Sequence, residues 1–309
     1  MRRTCLSLVH ELARADSRVL YIGSDLGAGT LEAMKVEMPE RFLMEGVAEA
    51  NLIGMAAGLA MEGYIPYVNT IATFLTRRCL EQIAVDLCMH KLPVRLIANG
   101  GGLVYAPLGP THEAIEDIAL MRALPGMTTI AVCDAEEMRR MMAETIDWPG
   151  PIYIRLAKGG DRVVSRKDDP FRIGKALLHE PAGDVSLIAC GVMVQRCLEA
   201  RELLADRRVV AGVLNVHTLK PLDVAAIDDF THGARLAVTV EEHVKNGGLG
   251  SAVAEAFCDR VAPHPPLLRL ALPDAFIHNY GSQDELLDDA GLQPPQIAER
   301  ILATLERLQ

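Results

Sequence analysis

The sequence predicts an α/β protein of two domains, each built on a largely parallel sheet flanked by helices. The 309 residues are enough for two domains of ordinary size. Half of them are hydrophobic and only 4% are aromatic, which indicates an aliphatic core. Short apolar runs of strand length alternate along the chain with longer helical patterns. This alternation is typical of a parallel sheet with helices on both faces.

The first domain is expected over residues 1–164. Its apolar runs predict strands at Val19–Gly23, Ile65–Asn69, Val94–Ala98, Thr128–Val132 and Ile152–Arg155. The helical patterns that alternate with them lie at Thr4–Ala15, Glu49–Met61, Phe74–His90, Ile115–Ala123 and Ala135–Asp147. Residues 50–61 are apolar or small on nearly every face, so we expect the second of these helices to be buried on all sides.

A polar break at 165–170 predicts a linker, which we place at residues 165–175. The same alternation resumes in a second domain, at residues 176–309. Its predicted strands are Val185–Cys190, Val209–Asn215, Leu236–Val240 and Leu267–Ala271, and its predicted helices are Gln195–Leu204, Gly250–Arg260 and Pro295–Leu308.

Charge and cysteine usage exclude several classes of function. The formal net charge of −10 disfavours nucleic acid or an anionic membrane surface as a partner. No apolar run is long enough for a transmembrane helix, and His10 and Glu11 interrupt the apolar start of the chain too early for a signal peptide. The seven cysteines are scattered without a C-x-x-C pair, so neither a disulfide framework nor a zinc site is predicted. We expect a cytoplasmic protein with buried cysteines and no metal site of its own.

Glu49 is the residue on which the functional interpretation depends. It begins an apolar helix, where a carboxylate must be paired, protonated or hydrogen-bonded. By spacing alone it is either a cap stabilised by the helix dipole or a functional acid. It belongs to an ordered series of short motifs: Gly46–Glu49, Ala57–Ala60, Thr73–Leu75 and Gly109–Glu113.

That series resembles the pyrimidine-binding half of the transketolase family of thiamine-diphosphate enzymes, which includes deoxyxylulose-phosphate synthase. Three motifs of the second half resemble the carboxy-terminal domain of the same family: Leu219–Asp223, Val240–His243 and Gly247–Ser251. The resemblance covers essentially the whole chain. It implies a pyrimidine-binding fold followed by a transketolase carboxy-terminal domain, with thiamine diphosphate as the cofactor.

The resemblance also implies which residues contact the cofactor. Glu49 is the catalytic acid that hydrogen-bonds the N1′ nitrogen of the aminopyrimidine ring and shares a proton with it. Phe74 matches the aromatic residue that stacks on this ring, whereas Ile71 stands where the family usually has a second aromatic. Arg77 matches an arginine of the synthase branch. Asp25, in the glycine-rich segment after the first strand, is a candidate for lining the site.

The implied substrate contacts include both matches and departures. His112 matches the catalytic histidine that reaches the reactive carbon, and Arg155 matches an arginine that holds a phosphate or carboxylate of the substrate. Leu108 stands where the family generally has Asp. Gly100 and Gly101 stand where the two familiar branches have His or Arg. These departures predict a roomier, less polar pocket and a non-standard substrate.

The motif Gly-Asp-Gly followed by Asn, which marks the family's diphosphate-binding domain, does not occur in this sequence. We therefore expect a split transketolase, whose amino-terminal subunit holds the diphosphate through Mg²⁺ or Ca²⁺. The expected assembly is an α2β2 heterotetramer with a β–β dimer at its core. The alternatives are a 2-oxoacid dehydrogenase β subunit, an acyl transferase similar to deoxyxylulose-phosphate synthase, and a non-catalytic regulatory homologue. The Gly109–Glu113 and Leu219–Asp223 motifs argue against the dehydrogenase, and the presence of Glu49 and His112 argues against the regulatory homologue.

Overall fold

The first sheet of the computed structural model holds the candidate site. The structure describes residues 1–24, 28–157, 159 and 161–308. In these ranges seven strands form the first sheet, and all neighbours are parallel except the first pair. Across the sheet the strands are Thr218–Lys220, Thr128–Ala131, Ile152–Leu156, Arg95–Asn99, Ile65–Ile71, Val19–Gly23 and Phe42–Met44.

The second sheet has five strands within the described residues, and only its last pair is antiparallel. In spatial order they are Leu267–Leu272, Leu236–Val244, Val185–Ala189, Ala211–Asn215 and Leu177–Glu180. The helices of the described chain, α1 to α11 in order, are Arg2–Ala15, Glu32–Glu37, Glu49–Met61, Ala72–Gln82, Asp117–Ala123, Ala135–Glu144, Met193–Ala205, Val224–Thr231, Leu249–Asp259, Gln283–Asp289 and Pro294–Arg307. None of them combines the length and the apolar character that crossing a bilayer requires.

The predicted architecture of two largely parallel sheets flanked by helices is confirmed, and each predicted strand and helix corresponds to an observed one. One helix differs in form: the expected Phe74–His90 helix ends at Gln82 and continues as a π-helical segment over Ile83–Cys88. The sequence patterns missed the short strands Phe42–Met44, Leu177–Glu180 and Thr218–Lys220 and the short helices Glu32–Glu37, Val224–Thr231 and Gln283–Asp289. Three or four residues are too few to establish a period of two, so such strands leave no local signal.

The expectation that α3 is buried on all sides is wrong for the isolated chain. Gly54 and Gly58 are exposed and Met61 is 58% exposed, all on one side of the helix. Val85, on the π-helical segment that packs against α3, is 42% exposed, and Met89, just after that segment, is 70% exposed. We call these five residues the α3 face. Glycine and alanine occur on covered and on exposed helix faces alike. The pattern of small residues therefore could not predict which side of α3 this chain leaves exposed.

Buried polar contacts join the two halves of the chain. Glu242, on the second sheet, accepts a hydrogen bond from the Leu103 backbone N–H at 2.9 Å. Glu137, on α6, accepts one at 2.8 Å from the amide of Asn215. Both carboxylates are almost fully buried, so the loops and helices around the first sheet are fixed by partners more than 75 residues away.

Candidate functional site

Three predicted site residues come together at one edge of the first sheet. Glu49 follows strand Phe42–Met44, Phe74 follows strand Ile65–Ile71, and His112 lies in the loop after strand Arg95–Asn99. These strands are parallel, so their carboxyl ends, where ligands bind in open α/β sheets, lie on the same side. The rings of Phe74 and His112 make an edge-to-face contact with centroids 5.1 Å apart.

Glu49 and Phe74 are bridged by Arg78, a residue that the sequence analysis did not identify. The Glu49 side chain is 4% exposed at the start of α3, and Arg78 Nη1 donates to its Oε2 at 3.1 Å. The Arg78 guanidinium carbon also lies 4.1 Å from the centroid of the Phe74 ring. Because Phe74 and Arg78 are four residues apart on α4, they share one helical face. This spacing of four residues is the signal in the sequence that could have identified Arg78.

The His112 side chain is half-buried and its Nδ1 atom is held by a neighbour. The Thr111 hydroxyl lies 2.9 Å from Nδ1, within hydrogen-bonding distance, and Thr73 Oγ1 donates to the Thr111 carbonyl oxygen at 3.3 Å. Thr73 directly precedes Phe74, so the same turn of α4 that presents the aromatic ring also fixes the histidine loop. With Nδ1 engaged, Nε2 is the ring nitrogen available to a reacting group.

Arg77, predicted to contact the cofactor, instead fixes the histidine loop to α4. Its guanidinium forms an ion pair with Glu116 and donates to the carbonyl oxygens of Pro110, at 3.4 Å, and Glu113, at 3.0 Å. The Glu113 side chain is 1% exposed, and within the described chain neither of its carboxylate oxygens has a hydrogen-bond partner. Burial raises the pKa of this carboxyl to about 7, although nearby Arg77 opposes the shift.

The remaining two residues predicted to bind cofactor are less informative. Ile71 is the last residue of its strand and is 9% exposed, three positions before Phe74. It therefore lies at the correct edge of the sheet, with an aliphatic surface where the family usually has an aromatic one. Asp25 lies outside the described residues.

The glycines after strand Arg95–Asn99 lie against side chains of the same chain. A Cβ atom on Gly100 would lie 2.2 Å from the Tyr105 ring, and one on Gly101 would lie 2.4 Å from the side chain of Arg155. These glycines therefore make room for neighbouring side chains of the same chain, which corrects the expectation of a roomier site there. Leu108 is 50% exposed in a 3-10 turn of the same loop, so its apolar side chain is available to a ligand or another subunit.

Arg155, predicted to hold an anionic group of the substrate, is 7% exposed and makes three hydrogen bonds within the chain. Its Nε donates to Asp117 Oδ2 at 2.8 Å. Its Nη2 donates to the carbonyl oxygens of Glu242, at 2.8 Å, and Ala114, at 3.2 Å. These contacts give Arg155 a structural role at the junction of the two halves. They use Nε and Nη2 but not Nη1, so a substrate contact through Nη1 stays a prediction.

The glycine-rich segment before α9 caps that helix. Gly248 is the N-cap residue, and Glu241 accepts hydrogen bonds from the backbone N–H groups of Leu249, at 2.6 Å, and Gly250, at 2.8 Å. Burial raises the pKa of Glu241 to about 7. In the part of the chain that the structure describes, no group of three or more His, Cys, Asp or Glu side chains is arranged to hold a metal ion.

The residues at the edge of the first sheet fit an aminopyrimidine ring. Phe74 offers an aromatic face and Glu49 a buried carboxylate, and one flat, cationic group, the Arg78 guanidinium, already contacts both. An aminopyrimidine is likewise flat and carries nitrogens that can hydrogen-bond a carboxylate. His112 borders the same space through its contact with Phe74.

Comparisons with known proteins agree with this geometry. The family model for the transketolase pyrimidine-binding domain matches residues 1–160, and the model for the transketolase C-terminal domain matches residues 174–297. A 6-deoxy-6-sulfo-D-fructose transketolase subunit, SqwH of Clostridium sp. (strain MSTE9), is 35% identical over 99% of this chain and 95% of its own length. A 1-deoxy-D-xylulose-5-phosphate synthase of Synechococcus sp. (strain JA-3-3Ab) is 38% identical over 97% of this chain. The match covers only 46% of the synthase, so the chain spans about half of that relative.

A solved structure shows the same fold over the whole chain. A split-gene transketolase, described as an inactive β4 tetramer, superposes with a TM-score of 0.89 at 32% identity. The match covers 100% of this chain and 98% of that one. Matched in both domains and along nearly all of its length, the chain belongs to the transketolase family.

Proposed function

We propose that this chain is the pyrimidine-binding and C-terminal subunit of a split, thiamine-diphosphate-dependent transketolase. The enzyme transfers a two-carbon ketol unit to an aldehyde acceptor. The observation that carries the proposal is the meeting of Glu49, Phe74 and His112, from three separate elements, at the carboxyl edge of the first sheet. We assign the pyrimidine-binding domain to residues 1–164, the linker to 165–175 and the C-terminal domain to 176–309.

Thiamine diphosphate, when bound, supplies a carbon nucleophile that breaks and forms carbon–carbon bonds next to a carbonyl group. Phe74 stacks on the pyrimidine ring and orients it. Glu49 holds a proton at the N1′ nitrogen, and its burial excludes water from that hydrogen bond. His112, with Nδ1 engaged by Thr111, directs Nε2 to an oxygen of the substrate, where it donates or accepts a proton.

The proposal includes a partner subunit. Relatives that match nearly all of this chain are named as subunits, among them SqwH and, at 32% identity, a component of the apulose-4-phosphate transketolase of Phocaeicola vulgatus. We propose that an N-terminal subunit holds the diphosphate through Mg²⁺ or Ca²⁺. We further propose that two copies of this chain pack through the α3 face, giving an α2β2 enzyme. The α3 face is apolar and uncovered, and it lies on the helix that begins with Glu49, which supports its placement at a subunit interface. The buried free thiols suit a cytoplasmic location.

For the substrate we propose a donor other than xylulose 5-phosphate. The support comes from Leu108, whose half-exposed apolar side chain replaces a polar group beside the histidine loop. The name of the relative SqwH, which refers to a sulfonated deoxysugar, shows that subunits of this kind occur with unusual sugars. Assays with xylulose 5-phosphate, hydroxypyruvate and sulfonated or deoxygenated ketoses compare the donors directly. A catalytic efficiency with xylulose 5-phosphate of about 10⁴ M⁻¹s⁻¹ or more would contradict this part of the proposal.

The role of Glu49 is tested by Glu49→Gln in the complex with the N-terminal subunit. We expect hydrogen–deuterium exchange at the reactive carbon of bound thiamine diphosphate to slow by about 10²–10⁴-fold, because glutamine cannot exchange a proton with N1′. Glu136→Gln is the matched control, since Glu136 also lies in the first turn of a helix and also pairs with an arginine, Arg139, at 3.4 Å. Exchange at the wild-type rate in Glu49→Gln would show that Glu49 is only a helix cap.

A further inference from the structure

Arg78 occupies the space between the two residues that define the proposed cofactor site. Its Nη1 lies 3.1 Å from the Glu49 carboxylate, and its guanidinium carbon lies 4.1 Å from the centroid of the Phe74 ring. These two contacts are of different kinds, a charge-assisted hydrogen bond and a cation–π contact, and one planar group makes both. The Arg78 guanidinium therefore makes the same two contacts that we propose for the aminopyrimidine ring.

A guanidinium and a pyrimidine ring cannot occupy this position together. A flat ring stacked on Phe74 at ordinary contact distance needs the same layer of space that the guanidinium fills. Among the described residues, Arg78 makes the one hydrogen bond shown to the Glu49 carboxylate, which is the group proposed to bind the ring nitrogen. Binding of the cofactor therefore requires Arg78 to leave.

Arg78 is free to leave, whereas the neighbouring arginine is not. The Arg78 side chain is 52% exposed, so its long apolar stem can rotate into solvent without disturbing buried groups. Arg77 is 29% exposed and its guanidinium is held by Glu116 and two carbonyl oxygens of the histidine loop. Of these two adjacent cations, only Arg78 combines mobility with contacts inside the site.

We propose that Arg78 is an internal plug of the cofactor site, which holds Glu49 and Phe74 in place until thiamine diphosphate displaces it. This proposal rests on the proposed function. In the chain without cofactor, the plug keeps a nearly buried carboxylate paired, which would otherwise be unfavourable. The same contacts must be broken on binding, so the plug lowers the apparent affinity for the cofactor in proportion to the time it spends in place.

The test is the dissociation constant for thiamine diphosphate, measured by calorimetry with Mg²⁺ in the complex with the N-terminal subunit. Since an exposed ion pair and a cation–π contact are both weak, we expect Arg78→Ala to bind about tenfold more tightly than wild type. Arg78→Lys, which keeps the charge but loses the flat stacking group, should lie between the two. Arg139→Ala is the matched control, because Arg139 is 51% exposed and also pairs with a glutamate on a helix.

A second readout does not depend on affinity alone. Without cofactor, Arg78→Ala leaves Glu49 unpaired, so the melting temperature of the variant should be lower than that of wild type. Addition of cofactor should raise the melting temperature of the variant more than that of wild type. Affinity that is unchanged or weaker in Arg78→Ala would overturn the plug, a weaker affinity showing that Arg78 instead holds the bound cofactor. The proposed function is tested separately by Phe74→Ala. If Phe74→Ala leaves the affinity of the complex for thiamine diphosphate unchanged, the proposed cofactor site is wrong, and the proposed role of Arg78 is wrong as well.

Discussion

Replacing Arg155 by methionine tests whether this residue joins the two halves of the chain or binds substrate. Arg155→Met keeps the apolar stem but removes three hydrogen bonds: to Asp117 at 2.8 Å, to the Glu242 carbonyl oxygen at 2.8 Å and to the Ala114 carbonyl oxygen at 3.2 Å. Asp117 is 0% exposed, and among the described residues it would keep only the hydrogen bond from the Tyr153 hydroxyl, at 2.7 Å. Removing one member of a buried ion pair leaves an uncompensated buried charge. We therefore expect the free energy of unfolding to fall by about 3–5 kcal/mol.

The measurement is equilibrium unfolding by urea, followed by circular dichroism, with Arg139→Met as the exposed control. The control should change stability by less than about 1 kcal/mol, since exposed ion pairs contribute little. The double variant Arg155→Met/Asp117→Asn should lose less stability than the sum of the losses in the two single variants, because each single change already breaks the same pair. A loss below about 1 kcal/mol in Arg155→Met, together with a raised KM for a phosphorylated substrate, would refute the structural role and restore the substrate role.

Two further predictions concern buried acids and the α3 face. Burial raises the pKa of Glu137 from its ordinary value to about 7, so this carboxyl favours folding below pH 4.5 and that contribution is lost as the pH rises through 7. The fall in unfolding free energy between pH 5.5 and 8 should therefore be smaller in Glu137→Gln, by about 2 kcal/mol, because only the part of the pKa shift above pH 5.5 lies in this range. The Asn215 Oδ1 atom has no hydrogen-bond partner among the described residues, so rotation of that amide lets the introduced glutamine still bond Asn215. An equal fall in wild type and variant would contradict the raised pKa of Glu137. Met61→Glu places a charge on the α3 face and should shift the chain towards monomer in sedimentation velocity, whereas the same change at exposed Val261, remote from this face, should not; an unchanged oligomer would place the interface elsewhere.

The regular elements could be predicted because their signal is local. Alternating apolar runs and helical periods located each principal strand and helix, and the Glu49–Met61 helix was placed with its observed bounds. The meeting of Phe74 and His112 was also predictable, since both follow predicted parallel strands of one sheet, whereas Glu49 follows a strand that the sequence patterns missed.

The parts that the sequence did not predict depend on contacts between distant residues. Gly101 is small because Arg155 fills its space, and Arg155 is engaged because Glu242 and Asp117 lie beside it. A glycine in a sequence shows that a side chain is missing, but not whether a ligand or the protein itself fills the space. Arg78 was overlooked for a different reason: its position four residues after Phe74 was visible, whereas its pairing with Glu49, 29 residues earlier, was not.

The strand Thr218–Lys220 has a consequence for how this protein can be divided. It comes from the second half of the chain but pairs with Thr128–Ala131 at the border of the first sheet. The Lys220 ammonium secures it by donating to the carbonyl oxygens of Arg122, at 2.8 Å, and Leu124, at 2.6 Å. A chain cut at the linker would lack the outer strand of the first sheet. The backbone donors and acceptors of Thr128–Ala131 would then be unpaired on that side, and such an edge can pair with other chains. The two halves are thus separate in sequence but share one sheet, so we expect a chain divided at residues 165–175 to be less stable than the intact one.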